Sequence, residues 1–268
     1  MFFVEGSPVI VLGMHRSGTS LLARLLHDGA VFMGRRRNSH EEALFFLGQN
    51  EWLFRLAHAA WDQPAGVRYL VEDDALRVEA AAALRRAMQS WRAAWSFWGR
   101  RAGNPLSPWG WKDPRTVFTL PIWWELFPEA RVVRLCRHPL DVAYSLQKRE
   151  QNRRDRLHNP LFSARCLSLE GAFSLWEEYE TMSEQATQPI PPPQVYTLRY
   201  EDLVQQPEKY VAELQQFLGI TFAPGMAAQA AAVNPERAFA FRRQDHLAAF
   251  YERCRSHPLL RRYGYDQL

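Results

Sequence analysis

Residues Val9 to Leu22, Val-Ile-Val-Leu-Gly-Met-His-Arg-Ser-Gly-Thr-Ser-Leu-Leu, constrain what this chain can fold into more than any other stretch. Val9 to Leu12 reads as a short buried strand. A loop bounded by Gly13 and Gly18 follows, and Leu21, Leu22, Leu25 and Leu26 then recur at helical spacing. A strand, a glycine loop and a helix N-terminus in that order make an anion cradle. The first helical turn leaves N–H groups unpaired, and the macrodipole adds partial positive charge there. Gly13 and Gly18 have the spacing of a nucleotide P-loop, but Thr19 stands where the Walker lysine belongs. The cation is instead Arg16, two residues before the second glycine. The cradle is present and the NTPase lysine is absent.

The rest of the chain supplies the same unit again. Trp109 to Arg115 is short and strand-like, with Lys112 at its end before a proline turn, and a helix to Leu126 follows. Arg131 to Cys136 is a clear strand closed by Arg137-His138-Pro139, and a helix from Leu140 carries Val142, Ala143 and Leu146 inward. Residues 165–182 read as a helix with Leu169, Phe173 and Trp176 on one face. Gln194 to Arg199 is a further strand, followed by Tyr200-Glu201-Asp202-Leu203 and a helix that Gly219 stops. Strands separated by helices imply an α/β fold, a parallel sheet flanked by helices, with ligands beyond the carboxyl ends of the strands.

Three segments receive plain structural readings. Ser39-His40-Glu41-Glu42 opens a helix through Trp52 and Leu56, with Ser39 and Glu42 at capping-box spacing. From about Glu72 to Arg100, Leu76, Ala80, Leu84, Met88, Trp91 and Trp95 form one stripe read as core, ended by Asn104-Pro105-Leu106-Ser107-Pro108. The basic run from Lys148 to Arg156, interrupted by Glu150 and Asp155, reads as a solvated helix end.

With 268 residues, 47% of them hydrophobic, the chain has enough material for one domain over residues 1–268 with its own core. Three scattered cysteines fit neither a disulfide framework nor a metal site, and Cys136 and Cys166 lie in apolar segments suited to packing. No basic-then-apolar leader opens the chain and no run approaches 18 apolar residues, so the expectation is a cytoplasmic protein with no membrane span. The net charge of +4 suits an anionic ligand, not a nucleic acid.

Arg16-Ser17-Gly18-Thr19-Ser20 resembles the phosphosulfate-binding loop of sulfotransferases, whose core is Lys/Arg-Ser-Gly-Thr-Ser/Thr. Arg137-His138-Pro139-Leu140-Asp141-Val142-Ala143-Tyr144-Ser145 resembles the family's second anion site, an arginine at a strand end and a serine eight residues later. A guanidinium grips phosphate with two parallel bonds, and a hydroxyl on the same helix face adds a third. Arg199 to Leu203 looks like the Tyr-Glu-Asp segment, where Tyr200 would lie near adenine. The resemblance covers about residues 9 to 220. It implies a fold like that of P-loop NTPases and a metal-free transfer from 3′-phosphoadenosine 5′-phosphosulfate, with adenosine 3′,5′-bisphosphate as product. The loop from His15 through Arg16, Ser17, Gly18, Thr19 and Ser20 would hold the donor together with Arg137, Ser145 and Tyr200. Arg242 and Arg243 are weaker candidates for the 3′-phosphate.

Catalysis would fall to Arg16, Lys112 and Glu42. Lys112-Asp113-Pro114 matches a segment in which the lysine contacts the sulfate or the bridging oxygen. Glu41-Glu42-Ala43-Leu44-Phe45-Phe46 resembles the stretch that carries the base glutamate in amine- and carbohydrate-type members. Glu42 is the candidate base, with Glu41, His40 and His58 as rivals. The acceptor, a small molecule, carbohydrate or lipid with a hydroxyl or amine, is not legible, nor is the oligomeric state. Ten tryptophans, Trp109, Trp111, Trp123 and Trp124 among them, suit either a stacking pocket or the core. A P-loop kinase or NTPase, and a non-catalytic nucleotide-binding module, are the alternative readings.

Overall fold

The computed structural model describes residues 6–98, 108–153, 156–159 and 161–267. Its centre is a strand of four residues, β1 (Val9–Leu12), with every side chain buried. The chain runs from it into α1 (Thr19–Gly29), α2 (Leu44–Leu56), α3 (Arg68–Glu72), α4 (Asp74–Met88) and a short α5 (Trp91–Ala93) that runs on as a π-helical turn over Ala94–Trp98. Then come β2 (Gly110–Lys112), α6 (Thr116–Trp124), β3 (Arg131–Cys136), α7 (Pro139–Gln151), α8 (Leu169–Thr187) and β4 (Val195–Arg199). The remainder is helical: α9 (Tyr200–Gln205), α10 (Pro207–Leu218), α11 (Met226–Ala231), α12 (Asp245–Cys254) and α13 (Pro258–Arg262). Among the described residues no helix is long and apolar enough to cross a membrane.

The four strands pair in the order β2-β1-β3-β4, all parallel. Side chains alternate across the sheet and bury two layers. Ile10, Leu12 and Val132 face Phe46, Leu84, Leu120, Leu146 and Trp176. Val9, Val11, Val133 and Leu135 face Leu22, Leu214 and Met226. The chain leaves β1 toward β2 on one side and leaves β3 toward β4 on the other. The loops after β1 and β3 therefore diverge, and the crevice between them is where an open parallel sheet binds ligands. Pro139 at the first position of α7 and the His138 Nδ1 that accepts the Leu140 N–H fix the second loop.

Three local expectations give way. No capping box forms at Ser39: α2 begins at Leu44 behind Ala43, without a side-chain cap. Asn38 organises this turn instead, its Oδ1 accepting the N–H groups of His40 and Glu42. The stripe from Leu76 to Trp95 is not one core face, because the helix stops after Met88 and restarts with Ser90 as cap. Leu76, Trp91 and Trp95 are exposed, while Ala80, Leu84, Phe97 and Trp98 are buried. Trp91 and Trp95 line a surface groove with Phe45 and Gly48, and Arg36 lies over the Trp95 ring. Most of the turn expected over residues 104–108 lies outside the described residues. The third difference is small: residues Arg165–Leu167 form a 3-10 turn, and α8 starts after Ser168, whose hydroxyl caps it.

The tryptophans split as well. Trp109, Trp111 and Trp123 are fully buried, with Phe46 stacked on Trp111 at 4.2 Å, so they are core. Cys136 and Cys166 are buried free thiols, as their apolar surroundings required.

Candidate active site

A cavity of about 460 Å3 opens at the carboxyl ends of β1, β2 and β3. The loop after β1 supplies its floor. Gly13 and Gly18 both need glycine there: a Cβ on Gly13 would lie 2.4 Å from the Leu135 carbonyl oxygen, and one on Gly18 2.4 Å from the Tyr200 ring. Gly18, at φ 96°, opens α1; its carbonyl accepts the N–H groups of Leu21 and Leu22, and those of Thr19 and Ser20 stand ahead of the first intrahelical bonds. Arg16 is itself left-handed at φ 68°, a conformation costly for a residue with a Cβ, and one that recurs at functional loops. Ser17 is turned inward, its hydroxyl donating to the Met14 carbonyl at 2.6 Å, so it shapes the loop. The Ser20 hydroxyl donates to the His40 carbonyl at 2.8 Å and ties the loop to the segment that carries Glu42.

The second loop meets the first directly. Arg16 Nε donates to Ser145 Oγ at 2.8 Å, and an Arg137 NH1 donates to the Arg16 carbonyl at 3.2 Å. Arg137 also donates to the Arg237 carbonyl at 2.6 Å and lies over the face of Tyr200, 4.5 Å from its centroid. The structure thus brings Arg16, Gly18, Arg137, Ser145 and Tyr200 into one place. Burial, then Arg149, Arg137 and Arg237, pulls the Arg16 guanidinium below its ordinary pKa. Mutually repelling cations in a partly dry cavity are what a bound anion relieves.

Lys112 and Glu42 form the third part. Lys112 is 2% exposed and ends β2; its Nζ donates to Glu42 Oε1 at 3.0 Å and to the His40 carbonyl at 2.9 Å. Asn38 Nδ2 donates to the other oxygen of Glu42 at 2.7 Å. Burial pushes the Glu42 carboxyl up, but Lys112, the Asn38 hydrogen bond and Arg115 outweigh it and hold the group below its ordinary pKa. Each carboxylate oxygen keeps a second lone pair, and the ammonium keeps a third N–H. Glu41 is engaged elsewhere, with Arg24 and Arg37. His40 lines the cavity and His58 does not.

His15 lies edge-on to Trp61 at 5.0 Å and to Tyr179 at 6.1 Å. Burial first, then Arg149 and Lys112, drives its pKa far down and leaves the imidazole neutral. Two expectations about arginines change here. Arg149 and Arg153 line the cavity, so the basic run after Lys148 is not simply a solvated helix end. The signal was available: Arg149 follows Ser145 by four residues and so shares its helix face. Arg242 and Arg243 do not line the cavity. Arg242 lies over Phe239, Arg243 pairs with Glu236, and Arg237 takes the place expected of them. Trp61 and Arg115 also line the cavity, and no local motif marks either one.

A model of the sulfotransferase family matches residues 8–224. A sulfotransferase from Mycobacterium tuberculosis has a similar structure, with TM-score 0.55 and 19% identity over 85% of this chain and 71% of that one. The sulfotransferase domain of a Synechococcus olefin synthase gives 0.51 and 20% over 88% and 82%. A sulfotransferase from Alicyclobacillus acidocaldarius gives 0.50 and 15% over 93% of each chain. At these identities the likeness is one of fold. None of the curated proteins matches the chain.

Proposed function

This chain belongs to the sulfotransferase family, and we propose that it transfers the sulfuryl group of 3′-phosphoadenosine 5′-phosphosulfate to a hydroxyl or amine of an acceptor, with Glu42 as general base. The observation that carries the reading is the buried Glu42–Lys112 pair, 3.0 Å apart, lining the same cavity as two cation-bearing strand ends, at Arg16 and Arg137. Two separate cation sites suit a donor with anions at both ends, and a nucleotide with one phosphate chain would supply no anion to the second of them. Arg16 and the N–H groups opening α1 suit the phosphosulfate; Arg137 and Ser145 suit the 3′-phosphate. Tyr200, beside Gly18, suits the adenosine.

In the reaction, the acceptor oxygen or nitrogen attacks sulfur in line with the bond from sulfur to the 5′-phosphate oxygen. That bond breaks, adenosine 3′,5′-bisphosphate leaves, and the acceptor proton passes to the free lone pair of Glu42. Negative charge grows on the bridging oxygen. Arg16 and the third N–H of Lys112 are the donors available to meet it. His40 is the rival base, because it lines the same cavity.

Calorimetric titration tests the donor class. Adenosine 3′,5′-bisphosphate is expected to bind tightly without metal, and magnesium-ATP weakly; the reverse result would transfer the reading to a kinase. Arg137→Ala is expected to weaken the bisphosphate about a hundredfold and AMP far less, the loss expected for charge-assisted hydrogen bonds of about 1.5–3 kcal/mol each. Equal losses for the two nucleotides would remove the 3′-phosphate from Arg137.

A further inference from the structure

We propose, building on the donor assignment above, that the acceptor carries an anionic oxygen group (carboxylate, sulfate or phosphate) beside the atom that receives the sulfuryl group, and that Arg149 holds it. On α7, Arg149 stands one turn beyond Ser145 on the same face, about 6 Å farther from the Arg137 end of the helix. Its guanidinium is fixed on two sides: Nε donates to Glu150 Oε1 at 2.6 Å, and its plane lies over Trp61 with Cζ 4.7 Å from the ring centroid. One NH2 group is buried and has no hydrogen-bond partner among the described residues.

The surroundings are built, not solvated. Glu150 is fully buried, and its second oxygen takes Arg153 NH1 and the Ser163 N–H, each at 3.1 Å. His15, edge-on to the same Trp61 ring, has a buried Nε2 that also lacks a hydrogen-bond partner among the described residues. A buried guanidinium N–H left unbonded is costly, and the group whose geometry matches its planar fork is a carboxylate, sulfate or phosphate. The donor's anions have other partners, at Arg16 and Arg137. Trp61 and Leu161 line the cavity as well and offer apolar surface to the body of the acceptor.

The test uses the protein saturated with adenosine 3′,5′-bisphosphate and titrated with matched probes: 4-hydroxyphenylacetate, 4-hydroxybenzylphosphonate and the neutral 4-hydroxyphenylacetamide, then glucuronate and glucose. At least one anionic probe is expected to bind about tenfold or more tighter than its neutral counterpart, and the better of carboxylate and phosphonate identifies the oxyanion. Arg149→Gln should abolish the preference, the anionic probe losing about tenfold or more and the bisphosphate, whose anions sit at Arg16 and Arg137, losing much less. Arg149→Lys, which keeps a cation beside Glu150, should restore part of it. Equal binding of charged and neutral probes, binding of none, or a preference that survives Arg149→Gln overturns the inference. So does a loss of bisphosphate affinity as large as the loss of anionic-probe affinity, which would give Arg149 to the donor. Failure of the wild-type protein to bind the bisphosphate would instead strike the donor reading beneath it.

Discussion

Glu42 meets Lys112 and Asn38 before any acceptor arrives, and both contacts favour its charged form. Because its carboxyl is held below the ordinary range, Glu42 stays ionised through neutral pH, as a base must. The same shift has a sign in stability. A depressed carboxylate stabilises the fold above its unfolded pKa, about 4.3, and that contribution disappears as pH falls through the folded value. Glu42→Gln is therefore expected to lower kcat by about 10²–10⁴-fold with bisphosphate affinity retained. Unchanged turnover in single-turnover assays would leave Glu42 as a partner of Lys112 and nothing more. Lys112→Met tests the pairing from the other side. It leaves a buried carboxylate unpaired, at a cost of about 3–5 kcal/mol in denaturant unfolding. Burial of Glu42 is then opposed by the Asn38 hydrogen bond and Arg115 without Lys112, so the acid limb of the kcat–pH profile should move up. An acid limb that stays put would separate the base from this pair.

Elements, not single side chains, decide whether the two anion loops meet. Gly18 starts α1 in the left-handed region against the Tyr200 ring, so Gly18→Ala faces both backbone strain and a clash. It is expected to cost about 1–3 kcal/mol in thermal unfolding, and to weaken bisphosphate binding about tenfold as the loop is displaced. Asp141, on the first turn of α7, accepts the N–H groups of Ala240 and Phe241 and pairs with Arg137. It pins the segment containing Arg237 against the second loop. Asp141→Ala should accelerate amide hydrogen exchange at Ala240 and Phe241 and weaken bisphosphate binding; protection unchanged at both amides would dissociate the segment from Asp141. The strands and their loops were legible because their signals are local: Val9–Leu12 and Arg131–Cys136 announce themselves by apolar runs, and Arg16, Arg137 and Ser145 by fixed spacing. The capping box was misread because the partner that claims Glu42 is Lys112, 70 residues away. Helical periodicity placed Trp91 and Trp95 in a core stripe, yet it cannot say whether a second surface exists to cover them. Trp61 and Arg149 meet across 88 positions of chain, which no motif of either records.

At the scale of the molecule, the chain after β4 returns to close the sheet. Tyr265 donates to the buried Glu201 at 2.7 Å, and Tyr263 donates to Glu180 at 3.2 Å in a cluster with Arg134 of β3 and Glu184 of α8. Burial raises the Glu180 carboxyl to about 7, against the pull of Arg134 and Tyr263. An acid with a raised folded pKa binds more protons folded than unfolded, so stability falls as pH rises from about 4.3 through about 7. The expected loss across that window is about 4 kcal/mol. Glu180→Gln should flatten it, raising the melting temperature at pH 8 and leaving it little changed at pH 5; a wild-type-like slope in the variant would assign the effect to another group. The hydrogen bonds that join Arg137 to the Arg16 carbonyl, and Arg16 to Ser145, have a thermodynamic consequence. On the proposed donor assignment, a phosphate bound at Arg137 would act through that guanidinium's hydrogen bond on the backbone of Arg16, the residue assigned to the sulfuryl end. Occupancy of one end of the nucleotide is thereby felt at the other, and the two binding energies do not add. For such a donor, removal of either anion is expected to change affinity by an amount different from that anion's own contacts.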